Sequence, residues 1–305
     1  SVRGASQAYG LTFTPGTWVE SIQITKGAGS VVNGYESISG QINTELIKPI
    51  KDIPFFLNTY GSTDSRYELN THFNKKISDK WSSSLFIHGN TRIAKYDMNN
   101  DGFLDNPLAK QINILNRWQY TNAQKGWVSF VNFRYMNDKK QTGQLGFVPN
   151  RDRLTTNFWG SEINTERVDV STKVGYVFPE MPFQSIGFQN AYNSHNQESY
   201  FGLNQYNIKQ KSYYSNLIFN SIIENTMNKF STGFNFAYDN YGEFVNLKDY
   251  SRTDNSIGTF FEYTYDNTSN FSVILGGRVD NHNRLGTFFT PRLHIRYNPW
   301  EKGVI

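Results

Sequence analysis

The segment Asn228–Tyr238, with the sequence NKFSTGFNFAY, alternates between apolar or aromatic side chains and small or polar ones. Phe230 and Phe234 fall on one side of this alternation, and Lys229 and Asn235 fall on the other. Because side chains in a β-strand point to opposite faces with a period of two residues, the segment is predicted to be a strand. One of its faces suits an apolar environment and the other suits water.

The same alternation recurs after residue 50, for example in Arg66–Asn74, where Tyr67 and Phe73 oppose charged and amide side chains. The pattern predicts 12 strands, at residues 53–60, 66–77, 81–92, 111–120, 126–136, 163–178, 183–194, 207–220, 228–238, 256–265, 271–281 and 289–297. In the middle of the chain their connections are alternately short and long. This is typical of transmembrane antiparallel β-barrels, which have short periplasmic turns and long extracellular loops.

The composition agrees with a barrel wall that has lipid on one side and water on the other. Mean hydropathy is only −0.59, and no run of about 18 apolar residues could form a transmembrane helix. Aromatic residues make up 16% of the chain, which favours girdles at the two membrane interfaces over a soluble β protein. A charge on the lipid face is costly, so five charged strand residues are expected to face the lumen. They are Lys173, Glu262, Arg278, Arg292 and Arg296.

Other function classes find little support. The chain has no cysteine, which excludes a disulfide framework, a thiolate metal site and a cysteine nucleophile. Its net charge of +4 is dispersed without a basic block, so no nucleic-acid partner is predicted. Neither G-x-S-x-G nor H-E-x-x-H occurs, the five histidines are scattered, and we predict no catalytic residue and no enzyme.

The first 50 residues differ from the rest of the chain in composition and in the length of their alternating segments. Val19–Lys26 and residues 41–47 are predicted to be short strands, and glycine is dense around them. Glycine is expected where the backbone turns tightly or packs closely. Pro49 and Pro54 then flank the transition to the long alternating strands. A domain boundary is therefore placed near residue 50.

Residues 18–43 resemble the closing part of the plug of TonB-dependent outer-membrane receptors. In that family a strand of the form V-x-x-I-x-[IV]-x-K/R-G precedes a glycine-bounded stretch that ends in G-x-I-N. Here Val19–Gly27 and Gly34–Asn43 match these two motifs in the same order. One departure is the triplet Glu36–Ile38, where many members carry three small residues.

This resemblance implies the organisation of the chain. Residues 1–50 would be the C-terminal part of a plug, and residues 51–305 the N-terminal part of a transmembrane barrel, with about 12 of 22 strands. The chain is thus expected to be a fragment from the outer membrane of a Gram-negative bacterium, embedded in lipid. A TonB-type energy-coupling protein would act through the plug N-terminal region, which is missing before Ser1.

The resemblance also implies a function, the energy-coupled uptake of a scarce nutrient. A ferric siderophore or another metal complex is the first expectation for the ligand, and cobalamin, copper and oligosaccharides stay open. Two rivals from other classes are a passive porin and a barrel enzyme with a Ser–His pair. A soluble propeller or sandwich is a third, although strands this long are unusual for either fold.

Two sets of residues are candidates for ligand contact. The first is the tip of the plug, with Ser30, Asn33 and Tyr35. The second is a loop predicted over residues 193–206, whose amide and aromatic groups suit stacking and hydrogen bonding to a polar ligand. Its candidates are His195, Gln197, Tyr200, Asn204 and Tyr206. The alternative for this loop is an interfacial aromatic girdle joined to a polar turn.

The segment Asp97–Asp105 reads D-x-N-x-D-G-x-x-D within a long loop, a spacing that calcium loops use. The predicted ligands are the side chains of Asp97, Asn99, Asp101 and Asp105 and the carbonyl of Phe103. The bidentate Glu usual at the twelfth position is replaced by Leu108. A structural Ca²⁺ is the expected cofactor, and a solvated Asx-rich turn is the alternative.

Overall fold

The computed structural model describes residues 4–7 and 10–300. Strands dominate, and the bounds of the fifteen in this part of the chain follow. They are β1 Val19–Lys26, β2 Gly40–Leu46, β3 Phe55–Gly61, β4 Arg66–Lys76, β5 Trp81–Arg92, β6 Leu108–Asn122, β7 Trp127–Gly143, β8 Gly160–Phe178, β9 Met181–Phe201, β10 Asn204–Ile223, β11 Asn225–Val245, β12 Lys248–Asp249, β13 Arg252–Asp266, β14 Phe271–His282 and β15 Gly286–Tyr297. The single α-helix among these residues is α1, Pro149–Asp152.

The long strands form one antiparallel sheet in which neighbours in sequence are neighbours in space. From β15 to β3 the path follows the chain order, and the short β12 only pairs with the end of β11. β1 and β2 form a separate two-stranded hairpin. This meander is what short connections between antiparallel strands produce. It confirms the predicted all-β class and the predicted transmembrane-barrel type of sheet.

Each of the 12 predicted barrel strands is present, but several extend further than predicted. β7 continues to Gly143, β9 to Phe201 and β11 to Val245. The loop predicted over residues 193–206 is wrong, because β9 and β10 remain paired until a tight turn at Gly202. The ladder of backbone hydrogen bonds continues where the apolar alternation stops, for example in residues 194–199 of β9, which are polar on both faces.

The predicted division of faces is confirmed by burial. Phe234 and Ile257 are 49% and 56% exposed on the outward face, whereas Asn235, next to Phe234 on β11, is 6% exposed on the inward face. Arg278 and Arg292 are also inward and buried. Among the residues described, no helix is long and apolar enough to cross a membrane.

Aromatic side chains form two belts on the outward face. At the end with short turns, Trp81 lies 5.1 Å from Tyr120, and Trp127 lies 4.7 Å from Tyr176, between ring centroids. Near the middle of the long strands, three tyrosines lie directly opposite one another on β9, β10 and β11. They are Tyr192, Tyr213 and Tyr238. Two such belts are the arrangement expected of aromatic girdles at two interfaces.

The N-terminal segment, defined here as residues 4–7 and 10–47, lies against the inward face of the sheet. Three 3-10 turns, at Gly4–Gln7, Gly10–Phe13 and Gly16–Trp18, lead into the β1–β2 hairpin. Its main apolar contact is Trp18, which packs against Phe86 and Leu115 of the wall. The remaining contacts are chiefly polar.

Replacing one outward side chain by arginine tests the assignment of faces. We expect Leu275→Arg, at an outward position of β14 that is 50% exposed, to lower the free energy of unfolding in lipid vesicles by about 2–4 kcal/mol. Ile274→Arg is the matched control, because its side chain is on the inward face beside Thr264 and His294. Urea titration measures both variants, and equal destabilisation would contradict the assignment.

Candidate functional site

Arg292 of β15 holds the loop that joins β1 to β2. Its guanidinium donates to the carbonyl oxygens of Gly29 and Ser30, the latter at 2.9 Å, and also to those of Gly34 at 2.9 Å and Tyr35 at 3.4 Å. Five N–H donors in a fixed plane suit this wrapping of a backbone turn. One wall side chain therefore fixes the loop at both of its ends.

Glu262 binds the same loop from β13, which is separated from β15 by β14 in the same sheet. Its carboxylate accepts from the Ser30 hydroxyl at 2.7 Å and from the Val31 amide at 3.2 Å. The Ser30 oxygen also accepts from the Val32 amide at 3.1 Å and so caps the 3-10 turn Val31–Asn33. Ser30, a predicted ligand contact, is thus engaged in anchoring the loop.

Arg278 of β14 is the third anchor and the most buried, at 2% exposure. It donates to the Val31 carbonyl at 3.2 Å, to Asn235 at 2.5 Å and to both carboxylate oxygens of Asp280 at 2.5 and 2.6 Å. A buried guanidinium is tolerated only when partners of this kind surround it. Gly258 leaves the space, since a Cβ there would lie 2.0 Å from Asp280.

The side chain of Val31 fills a gap in the inward face of the sheet. It is completely buried, and its side chain lies over Gly276 of β14, where an added Cβ would come within 2.8 Å. Any larger residue at position 276 would push the loop off the sheet. The packing of Val31 against Gly276 and the hydrogen bonds from the wall therefore both fix the position of the loop.

A cavity of about 410 Å³ opens beside this anchored loop, between the N-terminal segment and strands β11, β13 and β14. Eight of its lining residues are polar or aromatic, namely Tyr35, Glu36, Asp239, Tyr241, Asp254, Asn255, Ser256 and His282. The Tyr35 ring stands edge-on to Phe288 at 5.1 Å and to His282 at 6.4 Å. The cavity thus combines aromatic edges with hydrogen-bonding groups, as ligand sites do.

Neighbouring side chains fix the wall carboxylates of the cavity. Asp239 accepts from Gln210 at 3.1 Å and from the Ser212 hydroxyl. Asp254 accepts from Arg252 at 3.3 Å and from Arg284 at 3.4 Å. The carboxylates are held in place by these donors, so the cavity presents a preformed polar surface.

The structure separates the predicted ligand contacts of the N-terminal segment. Tyr35 lines the cavity, whereas the exposed Asn33 donates to Gln41 at 2.8 Å, within the segment itself. Ser30 faces Glu262. Of these three predicted ligand contacts, Tyr35 is the one that lines the cavity.

The second predicted group does not form one surface, because a strand sends successive side chains to opposite faces. His195, Gln197 and Tyr206 point inward. The His195 ring is 1% exposed, lies 6.3 Å from Phe13, and its nitrogens have no hydrogen-bond partner among the residues described. Tyr206 donates to Glu243 at 3.2 Å on the inward face of β11.

Tyr200 lies on the outward face, and Asn204 lies at the start of β10. The Tyr200 hydroxyl donates to Glu162 at 2.7 Å, and its ring packs against Phe147 of the loop after β7. The Asn204 side chain accepts from Asn246 at 2.9 Å. The ligand-binding role of all five residues stays a prediction, but they cannot act as one loop.

The loop over Tyr200, residues 144–159, is ordered by its own charge pair. Asp152 is buried and accepts from Arg151 and from the Val148 amide. The Arg151 guanidinium, with the Val148 amide, outweighs burial and holds the pKa of the Asp152 carboxyl below its ordinary value of 3.8. The carboxylate therefore stays charged, and the loop keeps its fold, unless the pH falls below that range.

The side-chain oxygens of Asp97 and Asp105 accept hydrogen bonds from backbone amides of their own loop. Asp97 accepts from the amides of Asp101 at 3.1 Å and Gly102 at 2.9 Å, and Asp105 accepts from Met98 at 2.8 Å. In the described part of the chain, no three His, Cys, Asp or Glu side chains form a group that could hold a metal ion. The geometry is that of a closed Asx-rich turn, and calcium binding stays a prediction.

The roles of several residues of the site do not follow from the sequence. Periodicity placed Glu262, Arg278 and Arg292 on the inward face, but it gave no signal that they hold a backbone loop. Asp239 and His282 also alternate inward on their strands. A search for charged residues at inward positions near the tyrosine belt would have found them.

Comparison with solved structures identifies the fold. The alcaligin outer-membrane receptor of Bordetella pertussis matches with a TM-score of 0.72 at 10% identity, over 96% of this chain and 49% of that one. FpvA of Pseudomonas aeruginosa, solved with pyoverdines, matches with 0.72 at 11% identity, over 97% and 48%. The ferric enterobactin receptor of the same species matches with 0.69 at 11%, over 95% and 48%.

The chain therefore spans about half the length of the solved structures it matches. No family model and no curated protein matches its sequence. The fold is that of the TonB-dependent outer-membrane receptors, as the resemblance in residues 18–43 predicts. At such low identity the likeness concerns the fold alone.

Removing the charge of Glu262 tests the anchoring of the loop. We expect Glu262→Gln to speed hydrogen exchange of the Val31 amide at least tenfold, because hydrogen bonds to a charged group contribute about 1.5–3 kcal/mol. Exchange monitored by mass spectrometry measures this. Glu243→Gln removes the same charge from β11 without touching the loop, and an equal effect there would contradict the assignment.

Proposed function

We propose that this chain forms part of the plug and barrel wall of a TonB-dependent receptor in the outer membrane of a Gram-negative bacterium. The whole receptor would import a scarce nutrient and would catalyse no covalent reaction. One observation carries the proposal. A separate N-terminal segment is held by polar contacts on the inward face of a sheet whose outward face is apolar and exposed.

The chemistry of that contact supports energy-coupled transport over passive diffusion. A segment bound on the inward face narrows the lumen that a porin leaves open. The hydrogen bonds that Arg292 and Arg278 donate to the segment, and those that Glu262 accepts from it, can be exchanged for bonds to water, so each contributes only about 1.5–3 kcal/mol. A TonB-type protein that pulls on the N-terminal side of the plug would have these bonds to break.

The cavity beside Tyr35 favours a polar ligand with flat or aromatic parts. Tyr35, Tyr241 and His282 offer ring edges, and Asp239 and Asp254 offer acceptors. The similar solved structures are named as siderophore receptors and an iron transporter. We therefore propose a ferric siderophore or another metal complex as ligand. Cobalamin, copper and oligosaccharides are the competing outcomes of the test.

Calorimetric titration of the detergent-solubilised full receptor with each ligand class identifies the substrate. We expect tight binding of one metal complex, and a loss of about tenfold in affinity for Tyr35→Ala, because stacking contacts are worth about 1–1.5 kcal/mol. Tyr35→Phe should keep most of that affinity, since it keeps the ring. Tyr238→Ala is the control, on the outward face beside the cavity-lining Ala237.

Two results would contradict the proposal. If no ligand binds and small solutes leak freely through reconstituted protein, the wall belongs to a passive porin. If a ligand binds but Tyr35→Ala and Tyr238→Ala lose the same affinity, the cavity is not its site.

We also propose that the Asp97–Asp105 loop binds calcium as a structural ion. The support is local. Gly102 has a φ of 83°, which suits the sharp turn at the sixth position of such loops, and Asp97 at the first position accepts from the Gly102 amide. Binding would require Asp101 and Asp105 to turn toward a shared centre.

Calcium titration of the detergent-solubilised protein tests this second proposal. We expect one site of modest affinity, in the range of about 10⁻⁴–10⁻³ M for extracellular loops, with weaker binding of Mg²⁺. Asp101→Ala should abolish it. Asp79→Ala removes an exposed carboxylate from a distant short turn and should leave it unchanged. Calcium binding that survives Asp101→Ala would refute the assignment.

A further inference from the structure

His282 ends β14 beside the cavity, and its ring is held by the turn that follows. Its Nδ1 accepts a hydrogen bond from the Arg284 backbone amide at 3.1 Å. The ring also stands edge-on to Tyr35, at 6.4 Å between ring centroids and an interplanar angle of 86°. These two contacts fix the imidazole where it lines the open space.

The turn after β14 is itself tied to β13, the strand that pairs with β14. Asn283 accepts from the Asn255 amide at 3.0 Å and donates to the Thr253 carbonyl at 2.8 Å. Arg284 donates to Asp254 at 3.4 Å. The backbone amide of Arg284 moves away from the ring only if these contacts break. The orientation of the imidazole is therefore set by the protein before any ligand arrives.

The contact with the Arg284 amide also fixes the proton of the imidazole. A backbone amide can only donate, so Nδ1 must offer its lone pair, and the neutral ring then carries its proton on Nε2. Among the residues that the structure describes, Nε2 has no hydrogen-bond partner. Because the ring lines the cavity, His282 offers a donor N–H group to a ligand there.

The same contact makes His282 unsuited to coordinating a metal. A histidine that binds a metal through Nε2 needs its lone pair there and donates its other ring N–H to a carbonyl or a carboxylate. Here the partner of Nδ1 is an N–H group, so a proton on Nδ1 would point at the Arg284 amide hydrogen. Coordination through Nε2 would therefore break the contact that holds the ring, and Nδ1 is already engaged.

We propose that His282 is a specificity-determining residue of the cavity, whose Nε2–H donates to an oxygen atom of the ligand and does not bind the ligand's metal. The inference rests on the proposed function, because it takes this cavity as the ligand site. It assigns His282 to ligands whose metal is already surrounded by their own oxygen donors. Free Cu²⁺, or a complex with an open coordination position, gains nothing from this ring.

Two substitutions separate donation to a ligand from support of the turn. His282→Gln places an amide N–H near the former Nε2 but loses the acceptor for the Arg284 amide. His282→Asn keeps that acceptor and is too short to replace the Nε2 donor. Calorimetric titration of the detergent-solubilised full receptor uses a ferric tris-catecholate, a ferric tris-hydroxamate and Cu²⁺ as probes.

For the ferric complex that binds, we expect His282→Asn to lose at least about tenfold in affinity, the loss that follows when a hydrogen bond to a charged oxygen is removed. His282→Gln should lose much less, and Cu²⁺ affinity should be the same in the wild type and in both variants. The matched controls are His294→Asn and His294→Gln, at the far end of β15 opposite Ile274, and neither should change any affinity.

The possible contrary results differ in what they refute. If His282→Gln loses as much affinity for the ferric complex as His282→Asn, or more, the ring only supports the turn and the inference is wrong. A loss of Cu²⁺ binding in His282→Gln would identify a metal ligand and would also overturn it. If neither ferric complex binds the wild type, the proposed ligand class fails and the inference fails with it.

Discussion

An unbroken antiparallel ladder is the constraint on which this structure depends. Between the edge strands β3 and β15 nearly every strand residue is paired with its neighbours, so backbone N–H and C=O groups there are satisfied within the sheet. In strands paired in this way, successive side chains must point to opposite faces of the sheet. One chain therefore presents Phe234 and Leu275 to one environment and Asn235 and Arg278 to another.

The inward face must then find partners for polar groups that the ladder forces into the interior. Arg278 solves this with Asp280, Asn235 and a backbone carbonyl, and Arg292 solves it with carbonyls alone. Carbonyl oxygens are well suited, because each has two lone pairs, and those of Ser30 and Val31 accept both from an amide of their own 3-10 turn and from a guanidinium of the wall. The wall and the N-terminal segment thus satisfy each other's hydrogen-bonding groups, and neither surface is an apolar core.

The sequence predicts the strands and their faces well, because period-two alternation is a direct imprint of the lipid-facing wall. Strand ends escape it, since β9 beyond Ser194 has polar residues on both faces and its alternation carries no hydropathy signal. The site is predicted only in part for a related reason. Tyr35 was found from its motif, but Arg292 binds carbonyl oxygens, and every residue has one. No residue type marks such a partner.

The position of Tyr35 joins the anchoring contacts to the cavity. Its side chain lines the open space, while its carbonyl is one of the four that Arg292 holds. A ligand seated in the cavity therefore touches the same loop that fixes the N-terminal segment to β15. The apolar contact of Trp18 with Phe86 and Leu115 lies apart from this loop. The loop itself combines both kinds of contact, because its backbone is held by charged side chains of the wall while Val31 is completely buried over Gly276.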